Sequence, residues 1–130
     1  MNIDRFRLRV WDQLNEKMRY NAIFKPGADI IITSDDEQPM VFTNLDNLMA
    51  CTGLLDKHGT LIYEGDVLIH EYKDSQRTYQ ERCAVYWDEW NSASIYGDTI
   101  ISGFNIGSVD DPAKSEIVGH IYQPEWEHLR

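Results

Sequence analysis

Short runs rich in β-branched and aromatic residues recur along this chain, and Gly, Pro, Asp or Asn clusters interrupt them roughly every ten residues. That rhythm leaves no room for long helices and constrains the chain to short strands joined by turns. The clearest case is Phe6-Arg7-Leu8-Arg9-Val10-Trp11. Phe6, Leu8 and Val10 share one phase and Arg7 and Arg9 the other, the period of a half-buried strand whose arginines face solvent. Met18-Arg19-Tyr20 resumes after a polar turn containing Asn15, as a hairpin partner does. Asp29-Ile30-Ile31-Ile32-Thr33 and Met40-Val41-Phe42 flank the acidic connection from Ser34 to Pro39 and can pair antiparallel.

Further along, Leu45, Leu48 and Met49 have helical spacing behind a Thr43 or Asn44 cap, so a short helix is expected over Thr43 to Ala50. Asp56 to Gly59 and Glu64 to Asp66 read as tight turns. Val67 to Tyr72 is a strand. Tyr79 to Trp87 is a longer one, with Cys83, Val85 and Trp87 on a common face. Asp88 to Asn91 turns. Ser94 to Tyr96 and Thr99 to Phe104 are short strands around Gly97-Asp98, and Glu116 to Tyr122 closes the series. Pro124 suits the first turn of a terminal helix ending near Leu129. The expected fold is mainly β: a small β-sandwich or partly open barrel of short antiparallel strands with one or two short helices, in a single domain over residues 1–130.

Core material is sufficient, with 42% hydrophobic and 12% aromatic residues in 130. The two cysteines, Cys51 and Cys83, lie among apolar neighbours and read as reduced core residues rather than a disulfide framework. No apolar run reaches the length of a membrane helix, and the N-terminus carries charges where a signal peptide needs an apolar stretch. A cytoplasmic location follows as the expectation.

The formal charge of −10 argues against broad binding to nucleic-acid phosphates. Residues 1–25 carry six basic residues against three acidic ones, so the acidity lies downstream. Arg5, Arg7, Arg9 and Arg19 could line a basic patch that orients a partner, or form the solvent face of a strand. The aromatic group Tyr86, Trp87 and Trp90, with Tyr79 and Tyr96 near in sequence, lacks interleaved basic residues and suits core or interface packing better than base stacking.

Four blocks, taken in order, resemble the YopX family of phage and prophage proteins. The first is Phe6 to Asp12 followed by Lys17-Met18 and Tyr20. The second and most specific is Thr52 to Val67, TGLLDKHGTLIYEGDV. The third is Val85-Tyr86-Trp87. The fourth is Ile117-Val118-Gly119-His120-Ile121-Tyr122 with Pro124-Glu125 and Leu129. Ala50-Cys51 and Trp126-Glu127-His128 depart from the family pattern at positions of packing. The resemblance implies a β-rich domain carried by phages, with no assigned catalytic, metal or cofactor-binding residue.

Two accounts of the second block compete. In the structural one, Thr52-Gly53-Leu54 turns the chain, and Asp56 and Gly59 close a hairpin. Ile62 and Tyr63 then lie on opposite faces, and Glu64-Gly65-Asp66 makes a second reversal with Gly65 at positive φ. In the functional one, Asp56, Glu64 and Asp66 converge on a divalent cation of a metal-dependent enzyme. The four histidines and two cysteines lack zinc spacing, and no nucleophile-elbow, P-loop or dinucleotide fingerprint occurs. The structural account is preferred. The expectation is a non-enzymatic accessory protein of the host cytoplasm, without cofactor, that binds a host or phage protein or self-associates through β-surface or aromatic contacts. Two alternatives stand beside it: an acidic nucleic-acid mimic, using Asp35, Asp36 and Glu37 or Asp88 and Glu89, and an RNA- or DNA-binding barrel using Arg5, Arg7, Arg9 and Arg19.

Overall fold

The structure is a computed structural model that describes residues 7–28, 30–33, 40–73, 75–88, 99–101 and 103–129. Outside these lie Arg5, Phe6, the acidic tract Asp35-Asp36-Glu37, Glu89, Trp90, the Ser94 to Tyr96 run and the Gly97-Asp98 turn. The fold is mainly β, as expected, with antiparallel sheets and short 3-10 helices. The strands are β1 Leu8–Asp12, β2 Lys17–Lys25, β3 Ile30–Thr33, β4 Met40–Phe42, β5 Leu48–Leu55, β6 Leu61–Tyr63, β7 Asp66–Lys73, β8 Thr78–Ala84, β9 Tyr86–Trp87, β10 Ile100–Ile101, β11 Phe104–Asn105 and β12 Glu116–His120. They form an open sheet of order β4-β3-β2-β1-β5-β6 and two three-stranded sheets, β10-β11-β9 and β12-β7-β8. The chain divides into two compact units at Cys51/Thr52, inside β5.

In the first unit, β1 and β2 form the expected hairpin, with Asp12 opposite Lys17. Asn21 (φ 57°) stands as an extra residue between the partners of Leu8 and Arg9, a β-bulge of the kind Asn accommodates well. Beyond the bulge, Ala22 pairs with Thr33 and Phe24 with Ile31, while Ile31 pairs with Phe42. Leu8, Val10, Ala22, Phe24, Ile31, Phe42 and Leu48 pack as one apolar cluster on one face. At the end of that face lies a buried ion pair, Arg19 Nε to Asp12 Oδ2 at 2.8 Å. Asn15 adds a donor to each Asp12 oxygen. Burial pushes the Asp12 carboxyl up, but the Asn15 and Arg19 donors outweigh it and hold the group below its ordinary value.

Three expectations need correction. Arg9 is not on a solvent face: it is only 2% exposed, pairs in register with Met49, and holds its guanidinium 5.9 Å from the centre of the Tyr20 ring. The aromatic face and the apolar stem shelter it. The helix expected over Thr43 to Ala50 is one 3-10 turn, Leu45–Asn47, capped by Asn44 Oδ1 accepting from Asp46 N at 3.1 Å. Leu48 and Met49 already pair with β1, so sheet hydrogen bonds override the helical spacing. The strand from Tyr79 to Trp87 breaks at Val85. Val85 N donates to Asp66 O, and Tyr86 and Trp87 then join β11 in another sheet.

In the second unit, β7 is central. It pairs with β8 from Val67↔Ala84 to Lys73↔Thr78 and with β12 from Glu116↔Ile69 to His120↔Asp66. Ile62, Val67, Leu68, Val85, Ile106 and Val109 are fully buried. After β12, a 3-10 turn at Pro124–Leu129 returns the chain, as the terminal proline predicts. Gly119 leaves the space that the Trp126 indole and the Gln123 side chain occupy. Among the described residues, no helix is long and apolar enough to cross a membrane. Cys51 is buried, Cys83 is half-buried, and both are free thiols.

Candidate interaction surface

The Thr52 to Asp66 segment is a scaffold of side-chain to backbone hydrogen bonds. Thr52 Oγ1 donates to Ile62 O at 2.7 Å and accepts from Leu54 N at 3.1 Å, which bends the chain at Gly53. Asp56 Oδ1 accepts from His58 N at 2.9 Å and Thr60 N at 3.0 Å, closing the turn over Gly59 (φ 78°). Its other oxygen accepts from Ile117 N at 3.2 Å, and Lys57 N donates to Ser115 O at 2.8 Å. The turn is thereby sewn to the start of β12. Burial raises the Asp56 carboxyl, and the Thr60, Ile117 and His58 N–H donors more than offset this, leaving it below its ordinary value.

The second reversal is fixed in the same way. Asp66 Oδ2 accepts from Tyr63 N at 2.7 Å. Gly65 (φ 89°) donates to Val85 O at 2.7 Å and accepts from Ile121 N at 2.9 Å. A side chain at Gly65 would be strained in this conformation. Ile62 and Tyr63 are both buried, so strand β6 is covered on both faces. Among the described residues, no three His, Cys, Asp or Glu side chains gather to hold a metal ion, and Asp56, Glu64 and Asp66 do not form such a group. Asp56 Oδ1 and Asp66 Oδ2 instead accept from backbone N–H groups of their own turns, and Asp56 Oδ2 accepts from Ile117 N.

Beside the Asp56 turn, His58 Nε2 lies 3.1 Å from Glu116 Oε1 and Lys57 Nζ 3.6 Å from Glu116 Oε2. The His58 hydrogen bond, followed by the charge of Lys57, lowers the Glu116 carboxyl from its ordinary value. His70 Nε2 is 3.1 Å from Ser108 Oγ, and that hydroxyl also donates to Glu81. The serine stands between imidazole and carboxylate. The order needed to activate a serine nucleophile places the imidazole in the middle instead.

The surface residues expected from sequence separate. Arg7 is exposed and Arg9 is buried, so they form no common patch. Arg5 and Trp90 lie outside the described residues. Tyr86 and Trp87 are half exposed, and Trp87 packs edge-on to Phe104, with ring centres 5.2 Å apart. Trp87 also covers Gly103, where a methyl group would collide with the indole.

The first unit also carries a solvent-facing apolar row that the sequence signals in one triplet alone. Ile23 pairs with Ile32, and Ile32 pairs with Val41, so three β-branched side chains form one row across β2, β3 and β4 on the face opposite the core. Ile23 is 56% exposed and Val41 is 59% exposed. The row ends on β4, the edge strand of its sheet. At Val41 it meets a cleft of about 290 Å³ whose walls include Trp11, Phe42 and Leu14, the last 89% exposed at the tip of the β1–β2 hairpin. The apolar triplet Ile30-Ile31-Ile32 carried a signal, because β-branched residues in both phases mean that both faces are apolar.

A search among curated proteins gives no match. Among solved structures, the chain is similar to the crystal structure of protein EF1440 from Enterococcus faecalis. The TM-score is 0.55 with 17% identity, covering 95% of this chain and 97% of that one, which is a likeness of fold. The family model described as YopX protein matches residues 7–125, which reach into both compact units and into each of the four sequence blocks, leaving out only Phe6 and Leu129. The chain belongs to the YopX protein family.

Proposed function

We propose that this protein is a non-enzymatic interaction module, a phage- or prophage-encoded accessory protein acting in the host cytoplasm, that docks a protein partner on the outer face of β2, β3 and β4. One observation carries the reading: the in-register row Ile23–Ile32–Val41, exposed at Ile23 and Val41 and half-buried at Ile32, reaching an edge strand and continuous with the cleft beside Leu14. Isolated exposed apolar residues are ordinary, whereas a contiguous row opening into a cleft is the form a docking surface takes. The edge strand offers backbone groups to an added strand, and the row offers the side-chain contact. Burying the exposed halves of Ile23 and Val41 would contribute about 1 kcal/mol each. A second copy is one such partner, because edge-to-edge pairing at β4 about a two-fold axis would make the row continuous across both chains. The nucleic-acid-mimic reading has no comparable observation in its favour.

The test is affinity capture of the tagged protein from phage-infected cells, with the native mass of the pure protein measured alongside. Val41→Lys and Ile23→Lys serve as surface variants, and Lys25→Gln serves as the control. The reading expects a partner, either a second copy or another protein, whose association is lost in both lysine variants and kept in the control. A monomer whose captured set is identical in all four proteins would refute it.

A further inference from the structure

A second cleft, of about 190 Å³, lies within the second unit, on the face of the β12-β7-β8 sheet that carries Glu116, Ile69 and Glu71. Its wall is built from residues of opposite charge. Lys57 comes from the Asp56 turn and Lys114 from the end of the Pro112–Lys114 turn, both at the β12 flank. Gln80 comes from β8 at the other flank, directly opposite Glu71 on β7. Ile69 and Val118 supply apolar surface on the strands between. Lys57 and His58 already engage Glu116. Among the described residues, the Lys114 ammonium, the Glu71 carboxylate and the Gln80 amide have no side-chain hydrogen bond or ion pair.

We propose that this cleft is a binding site for a small zwitterion of the α-amino-acid type, its carboxylate held by Lys114 and Lys57 and its ammonium by Glu71 and the Gln80 side-chain carbonyl. A free anion would meet two carboxylates in the same wall, and a free cation would meet two lysines. A molecule carrying both charges satisfies both sets at once. A short aliphatic side chain on the ligand would rest against Ile69 and Val118. The volume fits a ligand of a few heavy atoms, and the open wall limits affinity to a Kd of about 1 mM. The site is built wholly from the second unit, so it stands or falls independently of the docking surface on β2–β4.

The test is a two-dimensional NMR titration of the ¹⁵N-labelled full chain with L-alanine, and in parallel with acetate and with methylammonium. Expected are saturable shifts with alanine at the amides of Ile69 to Glu71, Gln80 and Lys114 to Val118, and no saturation with either single-charge probe at equal concentration. Lys114→Gln and Glu71→Gln should each weaken alanine binding about tenfold while leaving the remaining spectrum unchanged. Both positions are exposed, so neither variant threatens folding. No saturable shift with alanine, equal saturation by acetate or methylammonium alone, or unchanged affinity in both variants would overturn the proposal.

Discussion

Replacing Asp56 with Ala removes one carboxylate and leaves three backbone donors without an acceptor: His58 N, Thr60 N and Ile117 N. His58 and Thr60 are exposed and their amides can turn to water, so each loss costs about 1 kcal/mol. The Ile117 amide is partly buried at the join between the turn and β12, and its bond to a charged acceptor is worth about 1.5–3 kcal/mol. The sum, about 4 kcal/mol, is a large share of the roughly 5–15 kcal/mol by which a domain is stable. With a urea m-value of about 2 kcal/mol/M, the unfolding midpoint should fall by about 2 M. Asp56→Asn keeps one acceptor oxygen for the turn but sets an amide donor against Ile117 N, and should lose about half as much.

The same carboxylate gives the acid behaviour a sign. Its folded pKa lies below the ordinary 3.8, so between the two values the unfolded chain binds the extra proton. Its stabilising contribution is therefore complete above about pH 4 and is lost as pH falls through the lower folded value. Asp56→Asn should flatten the stability profile in that window, while Asp12, depressed in the same direction, leaves some acid sensitivity. Equilibrium urea unfolding between pH 2 and pH 7 measures both effects. An Asp56→Ala midpoint within about 0.3 M of the parent would refute the view that this turn is held by its carboxylate.

Removing either partner of the buried Asp12–Arg19 pair strands a charge, so Arg19→Met should cost about 3–5 kcal/mol and the double variant Asp12→Leu/Arg19→Met should recover much of it. A double-mutant cycle in urea measures the difference, and additive losses would refute the pairing. Gly119→Ala pushes a methyl group into the Trp126 indole and the Gln123 side chain, and should lower stability by about 1–3 kcal/mol. Trp126 fluorescence should respond in the folded state, and an unchanged midpoint would show that the terminal turn is free to shift.

Much of the site scaffold was legible because it is local. Asp56-Lys57-His58-Gly59 carries its own turn chemistry, with an aspartate that bonds amides two and four residues on and a glycine at positive φ. Pro124 announced the terminal turn in the same local way. The misread positions depend on distant partners. Leu48 and Met49 have a helix's spacing but are claimed by β1, about forty residues earlier. Val85 looks like mid-strand in sequence, yet its hydrogen bonds to Gly65 and Asp66 end one sheet there and send Trp87 into another.

From the sequence alone came the strand alternation, the turns, the mainly β fold and the family blocks, all of which are read from patterns within short stretches of the chain. The tertiary structure decided which face of each strand is covered. Period-2 alternation divides a strand into two faces but is silent on which one other residues will cover. Arg9 and Ile23 lie on the same face of one sheet, and the charged residue is the buried one. Arg9 is sheltered by Tyr20 beside it and Met49 across from it, whereas Ile23 lies in a row that remains largely open. The exposed apolar row and the charged cleft both arise from registers between segments distant in sequence, and register exists only once the chain has folded.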